Sequence, residues 1–300
     1  MAFMNDTEVF AYGPRSTSTM GEPAAEPEHP SQPAQWWKRP LRAVPVIIGL
    51  NLVVFFMWQL AAANGAWRDF MVVNFLVSPY HLAHGLWWTI LTSAFSHAAF
   101  WHFAINMIVL WSFGAVLERL WGIRVFTSFY LIAAIVSSLT YCGVALWFLD
   151  QPTVPALGAS GAITGLLMAY ALIFPKQKIL LLGIIPIPAF IGVMAFISWD
   201  IWGLFVQRNG GGLPIAHGAH LGGALAGAIV YYAYLKPRME AAMSRGDLVL
   251  PPTLSRSEER TLKQLNRKVK DEGPGALTED ERRFLVEIRH RFEHNQEDRS

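Results

Sequence analysis

A single cysteine, Cys142, stands among the 300 residues. An intramolecular disulfide is therefore excluded, and one thiol makes no metal site. Lying inside an apolar run, Cys142 reads as a small packed residue. Charge is scarce as well: 15% of the residues are Asp, Glu, Lys or Arg, against about 25% in average soluble domains. The deficit falls in the middle of the chain, where only twelve formal charges occur from Arg42 to Lys236. The net charge of +2 has little meaning there, because most charges sit in the tails. The chain has no His-Glu-x-x-His pattern and no cysteine cluster, which argues against a metal centre. It also lacks a basic start followed by a short apolar core, so its beginning does not read as a signal peptide.

What the middle of the chain does contain is apolar runs near or above the roughly 20 residues that span hydrocarbon. Six are expected, at about 43–63, 101–117, 125–148, 158–174, 179–206 and 216–235. The chain is thus read as an all-α polytopic membrane protein in three parts. Residues 1–40 form a Pro-, Ser- and Glu-rich disordered cytoplasmic tail, 41–238 a six-helix membrane domain and 239–300 a charged cytoplasmic tail. The loop 64–100 holds Trp67, Trp87 and Trp88 and should form short interfacial helices. With the N-terminus inside, nine cations (Lys38, Arg39, Arg42, Arg119, Arg124, Lys176, Lys178, Lys236 and Arg238) flank the inner side against Arg68 and Arg208 outside. In the tail, Ser255 to Glu258 and Thr278 to Glu281 both fit capping boxes, with "DEGPGA" as the turn between two amphipathic helices. This appendage reads as a solvated hairpin, or as the docking site of an unknown cytoplasmic partner.

In this topology the second, fourth and sixth spans all start on the outer side, and their first turns carry the polar residues. The second brings His97, His102 and Asn106, the fourth Ser160, and the sixth His217 and His220. His102 and Asn106 share a helical face four residues apart. The fourth span, 17 residues long, covers only roughly 25 Å at 1.5 Å per residue, so Ser160 should lie below the outer surface beside water. Polar groups at such depth are costly and usually functional. Serine with histidine is the least that activates a hydroxyl nucleophile. His102 and Asn106, with the Ser160 N–H at a helix start, would meet the oxyanion. Gly161 and Gly165, and likewise Gly223 and Gly227, are four apart. Each pair makes a face that lets helices approach closely, which would bring Ser160 beside His220. Asp200, expected to be the only carboxylate within a span, reads either as an interfacial hydrogen-bonding residue or as part of a gate or site. The same choice is open for His217.

Taken together, "HAAFWHFAIN", "GASG" and "AHLGG" on the second, fourth and sixth spans resemble the rhomboid family of intramembrane serine proteases, over roughly 41–236. "FGAVLERLWG" is similar to the family pattern at the inner end of the second span. The resemblance implies a six-helix bundle with a serine–histidine pair and no third acid. By it, Ser160 is the nucleophile and His220 the base, His102 and Asn106 help bind the oxyanion, and Gly158 with Ala159 shapes the loop before the serine. Two positions depart from the pattern. Trp88-Thr89 stands where many members carry Trp-Arg, and Thr164 stands where some carry a tyrosine stacked on the base, so another group must orient His220.

The resemblance implies a serine endopeptidase that cuts transmembrane protein substrates in or near the lipid bilayer, with no cofactor and no nucleic acid. The alternative is an inactive relative that binds transmembrane clients. A small-solute transporter is the third reading, disfavoured because the polar groups gather near one face and no internal repeat is evident. A bacterial inner membrane, with both termini cytoplasmic, is the expected location.

Overall fold

A computed structural model describes residues 36–181, 185–245, 248 and 256–294. Residues 1–35 of the expected disordered tail 1–40 lie outside them, and Trp36–Lys38 forms a 3₁₀ turn. The helices are α1 Ala43–Ala61, α2 Gly65–Phe75, α3 Pro79–Ala83, α4 Thr89–Thr92 and α5 Phe100–Val109. A π turn at Leu110–Gly114 joins α5 to α6 (Ala115–Trp121), and α7 Ile123–Trp147 and α8 Ser160–Ile173 follow. An antiparallel hairpin, β1 Lys178–Leu181 with β2 Ile185–Pro188, precedes α9 Ala189–Arg208. α10 His217–Val230 runs through a second π turn, Tyr231–Leu235, into α11 Lys236–Ser244; α12 Arg256–Glu272 and α13 Glu279–His294 end the chain. Residues 35–237 make one compact unit and the tail belongs to another.

Among the described residues, four helical runs are long and apolar enough to cross a membrane: Trp36–Ala61, Phe100–Trp121, Ile123–Trp147 and Ala189–Arg208. The expected fourth and sixth spans appear as the shorter α8 and α10, each of 14 residues. The fifth begins later than expected, since Lys178–Leu181 and Ile185–Pro188 pair as strands instead of forming helix. Pro186 and Pro188 have no N–H to continue a helical ladder, and the register sets Lys178 opposite Pro188 and Leu181 opposite Ile185. The second is longer than expected and takes in Glu118, so Asp200 is not the only carboxylate within such a run. Glu118 is buried and accepts from the N–H groups of Arg42 and Ala43 at 2.7 and 2.8 Å on one oxygen, and from Val44 at 2.8 Å on the other. Those are donors the first turn of α1 would otherwise leave orphaned, and the negative charge complements the helix dipole. The Arg39 guanidinium donates to the Arg119 and Leu120 carbonyls, which ties the start of α1 to the end of α6. "FGAVLERLWG" is thus a clasp between the first two long helices.

The core of this unit gathers Leu110, Leu117, Phe126, Phe129, Tyr130 and Leu166, all at most 2% exposed. At its centre α8 packs on α10 and both pack on α7. The α8–α10 seam is made of backbone. A Cβ on Gly223 would sit 1.8 Å from the Gly161 carbonyl oxygen, and one on Gly227 would sit 2.4 Å from that of Gly165. No side chain fits between the two helices. A Cβ on Gly161 would lie 1.7 Å from Ser137 Oγ on α7, so the third helix is held equally close.

In the tail unit, Leu262 and Leu265 of α12 cluster with Leu285 of α13. Thr278 and Glu281 form the expected capping box: Thr278 N–H donates to the carboxylate at 2.8 Å and Glu281 N–H to the Thr278 hydroxyl at 3.3 Å. Lys268 of α12 donates to the same carboxylate at 2.7 Å. That ammonium, and after it the Thr278 N–H, holds the Glu281 carboxyl below the ordinary range.

The seam predicts an ordering of glycine substitutions. Gly223→Ala should destabilise the folded protein by about 1–3 kcal/mol, the usual cost of overpacking. Gly65→Ala on α2, where an added Cβ meets nothing within 4 Å, should be neutral. Thermal denaturation of both variants in detergent checks this, and equal melting temperatures would contradict it.

Candidate active site

Ser160 is the first residue of α8 and His220 lies in the first turn of α10. With the two helices in backbone contact, Ser160 Oγ stands 2.9 Å from His220 Nε2. The approach to the serine is a bend at Gly158, whose φ of +127° is one that residues with a side chain rarely adopt. Space demands glycine there as well: a Cβ would lie 2.7 Å from His102 Cε1. Gly158 N–H donates to the Ser93 carbonyl at 2.9 Å, which anchors the bend to the loop that precedes α5.

His102 and Asn106 come from α5, and the Asn106 amide donates to the His102 carbonyl at 2.8 Å. An amide nitrogen carries two hydrogens, so one remains for a ligand. Ala159 N–H, by contrast, is engaged: it donates to Nε2 of the buried His97 at 3.4 Å. The His97 and His102 rings meet edge to face with centroids 4.9 Å apart. Ser160 also borders a cavity of about 20 Å³ lined by Ser93, Ser137, Ser138, Tyr141, Gly158 and Ala216, among others. That is room for about one water molecule.

The far side of His220 differs from what the resemblance implies, a pair with no third acid. Nδ1 of His220 lies 3.0 and 3.2 Å from the two carboxylate oxygens of Asp200 on α9, and Nδ1 of His217 lies 2.6 Å from the nearer one. Asp200 is 1% exposed. The Phe196 ring, one turn earlier on α9, lies against the His220 ring at 5.3 Å between centroids and 36° between planes. Asp200 and Phe196 are therefore the groups set against the far side of the His220 ring, where Thr164 is not. Thr164 instead returns its hydroxyl to the Ser160 carbonyl at 2.8 Å. Sequence reasoning missed Phe196; its only signal was its place four residues before the carboxylate.

The expectation of no metal centre meets one qualifying cluster among the described residues. Asp200, His217 and His220 offer ligand atoms within 4.8 Å of one another. Within the protein the Nδ1 atoms of both histidines are hydrogen-bonded to the Asp200 carboxylate. His81, which lies close to His97 and His102 in sequence, is engaged with Ser78 Oγ at 2.7 Å and the Val72 carbonyl at 3.0 Å. Trp88 and Thr89, the other departure, are held otherwise than by an arginine. Trp88 Nε1 donates to Asn74 Oδ1 at 3.1 Å and the buried Thr89 hydroxyl to the Leu86 carbonyl at 2.6 Å. The Thr92 hydroxyl donates to the Asn74 carbonyl. The loop 64–100 does fold into short helices, and it is joined to the segment before Ser160 by the bridge between Val77 and Ala156.

A family model described as a rhomboid domain matches residues 84–237, just over half of the chain. The chain belongs to the rhomboid family. Rhomboid protein 1, mitochondrial, of Saccharomyces cerevisiae is 34% identical over 212 residues, covering 69% of this chain and 57% of that protein. RHOMBOID-like protein 12, mitochondrial, of Arabidopsis thaliana is 31% identical over 217 residues, 67% of this chain and 62% of its own length. Presenilin-associated rhomboid-like protein, mitochondrial, of Homo sapiens is 32% identical over 213 residues, 67% of this chain and 51% of that one. This rhomboid therefore spans about half to three-fifths of the length of these curated relatives. Their names overturn the expected bacterial inner membrane: all three are mitochondrial.

The bend before the serine makes a stability prediction. Gly158→Ala should cost this rhomboid about 1–3 kcal/mol, from backbone strain at positive φ and the collision with His102. Chemical denaturation in micelles measures it, and an unchanged midpoint would contradict the close His102–Gly158 packing.

Proposed function

We propose that this rhomboid is an intramembrane serine endopeptidase, with Ser160 as nucleophile and His220 as general base. The observation that carries the reading is the 2.9 Å contact from Ser160 Oγ to His220 Nε2 at the start of two helices locked by glycine. In the first half-reaction Ser160 Oγ adds to the scissile carbonyl while His220 Nε2 takes its proton. The carbonyl oxygen, now negative, meets the Ser160 N–H, the free Asn106 amide hydrogen and the His102 ring. Collapse breaks the C–N bond, and His220 returns the proton to the leaving amine. A water molecule, deprotonated by the same nitrogen, then releases the acyl group and restores the serine.

The site belongs to a six-span arrangement in which α8 and α10 complete the four long runs. α8 rises only about 21 Å at 1.5 Å per residue, against roughly 30 Å of hydrocarbon. Its N-terminus, and Ser160 with it, then lies within the membrane. A substrate reaches it as a transmembrane segment that unwinds locally. The names of the relatives suggest a mitochondrial membrane. The dyad is intact, which favours this reading over an inactive client-binding protein.

The test is cleavage of reporter transmembrane segments rich in small and helix-breaking residues, in proteoliposomes, by wild type, Ser160→Ala and His220→Ala. Cleavage by the wild type alone is expected, with losses in both variants of about 10⁴-fold or more. Cleavage that persists in Ser160→Ala would overturn the proposal.

A further inference from the structure

We infer that Asp200 is a positioning residue for His220, anchored by His217, so that the working unit is a line of Ser160, His220 and Asp200 rather than a serine–histidine pair. This rests on the protease reading. The first argument is cost. A carboxylate 1% exposed on an apolar helix is tolerated only when hydrogen-bonded. Both of its side-chain partners here come from one turn of α10: His220 Nδ1 at 3.0 Å and His217 Nδ1 at 2.6 Å, on the same oxygen.

The second argument is the proton inventory. A carboxylate only accepts, so its contact with His220 puts the hydrogen on Nδ1. That leaves the Nε2 lone pair facing the Ser160 hydroxyl, which is the tautomer a general base requires. As Nε2 takes the serine proton, the positive charge that develops on the ring faces a fixed negative group.

The third argument is rigidity. His217 holds the shorter of the two bonds, and its ring lies so close to α9 that a Cβ on Gly203 would stand 2.3 Å from its Nε2. A ring seated on backbone fixes the carboxylate, and the carboxylate with the Phe196 face fixes His220. The two groups that fix the His220 ring, Asp200 and Phe196, both come from α9. Its docking against α10 therefore sets the state of the catalytic nitrogen.

The experiment compares wild type, Asp200→Asn and His217→Gln in proteoliposomes on a reporter segment that the wild type cleaves, with kcat, KM and melting temperature read for each. Asp200→Asn presents an amide that can hold the wrong tautomer. Its kcat should fall about 100-fold or more while KM stays within about threefold, the pattern of a lost transition-state role. His217→Gln should show a smaller fall of the same kind. Wild-type kcat in Asp200→Asn, with cleavage still dependent on Ser160, would overturn the inference and leave the protease reading standing. A wild type that cleaves nothing would instead remove the protease reading. Should Asp200→Asn not fold, ¹⁵N-histidine NMR of the wild type decides. His220 protonated on Nδ1 with Nε2 bare supports the line, and a proton on Nε2 overturns it.

Discussion

The contact on which the rest of the site depends is that of two glycine backbones. The Gly161 carbonyl and the Gly223 α-carbon meet with no room for a methyl group, which brings the first turns of α8 and α10 close enough for Ser160 to reach His220. Between lipid-embedded helices there is little hydrophobic drive to associate, because lipid tails are as apolar as leucine; close van der Waals packing takes its place. Small residues therefore set both the stability of the seam and the geometry of the Ser160–His220 contact. The bend at Gly158 continues the same logic: the loop must turn sharply and leave space for His102.

Buried charge forms the second layer. Two carboxylates lie within the long apolar helical runs, and each is fully engaged. Glu118 closes the first turn of α1 and clasps it to the end of the second run. Asp200 joins α9 to α10 through two histidines. One joins helices at the foot of the bundle and the other completes the surroundings of His220. Both follow from the same rule, that a charge withdrawn from water needs donors on every side.

The pairing of Ser160 with His220 could be read from the sequence because small residues four apart mark a helix face and a serine or histidine at a helix start marks depth. His102, Asn106 and Gly158 followed from the same short motifs. The Asp200 side could not be read in that way. Placing Asp200 against His220 needs the rotation of α9 about its axis, and hydrophobic periodicity is weak on a helix apolar all round. The resemblance, with its two-residue pair, gave no reason to look for it. The pairing of Lys178–Leu181 with Ile185–Pro188 was hidden for a related reason: an apolar run reads as a span until its prolines are weighed. The length of the second run was missed because Glu118 looks like the end of a helix until its three backbone donors are seen.

The most direct measurement is mass-spectrometric mapping of a fluorophosphonate adduct on the membrane-extracted protein, since it needs no substrate. If the seam places an activated hydroxyl opposite a base, the wild type carries one adduct, on Ser160, and folded His220→Ala carries none. A folded wild type that remains unmodified, or one modified at a residue other than Ser160, would contradict the account.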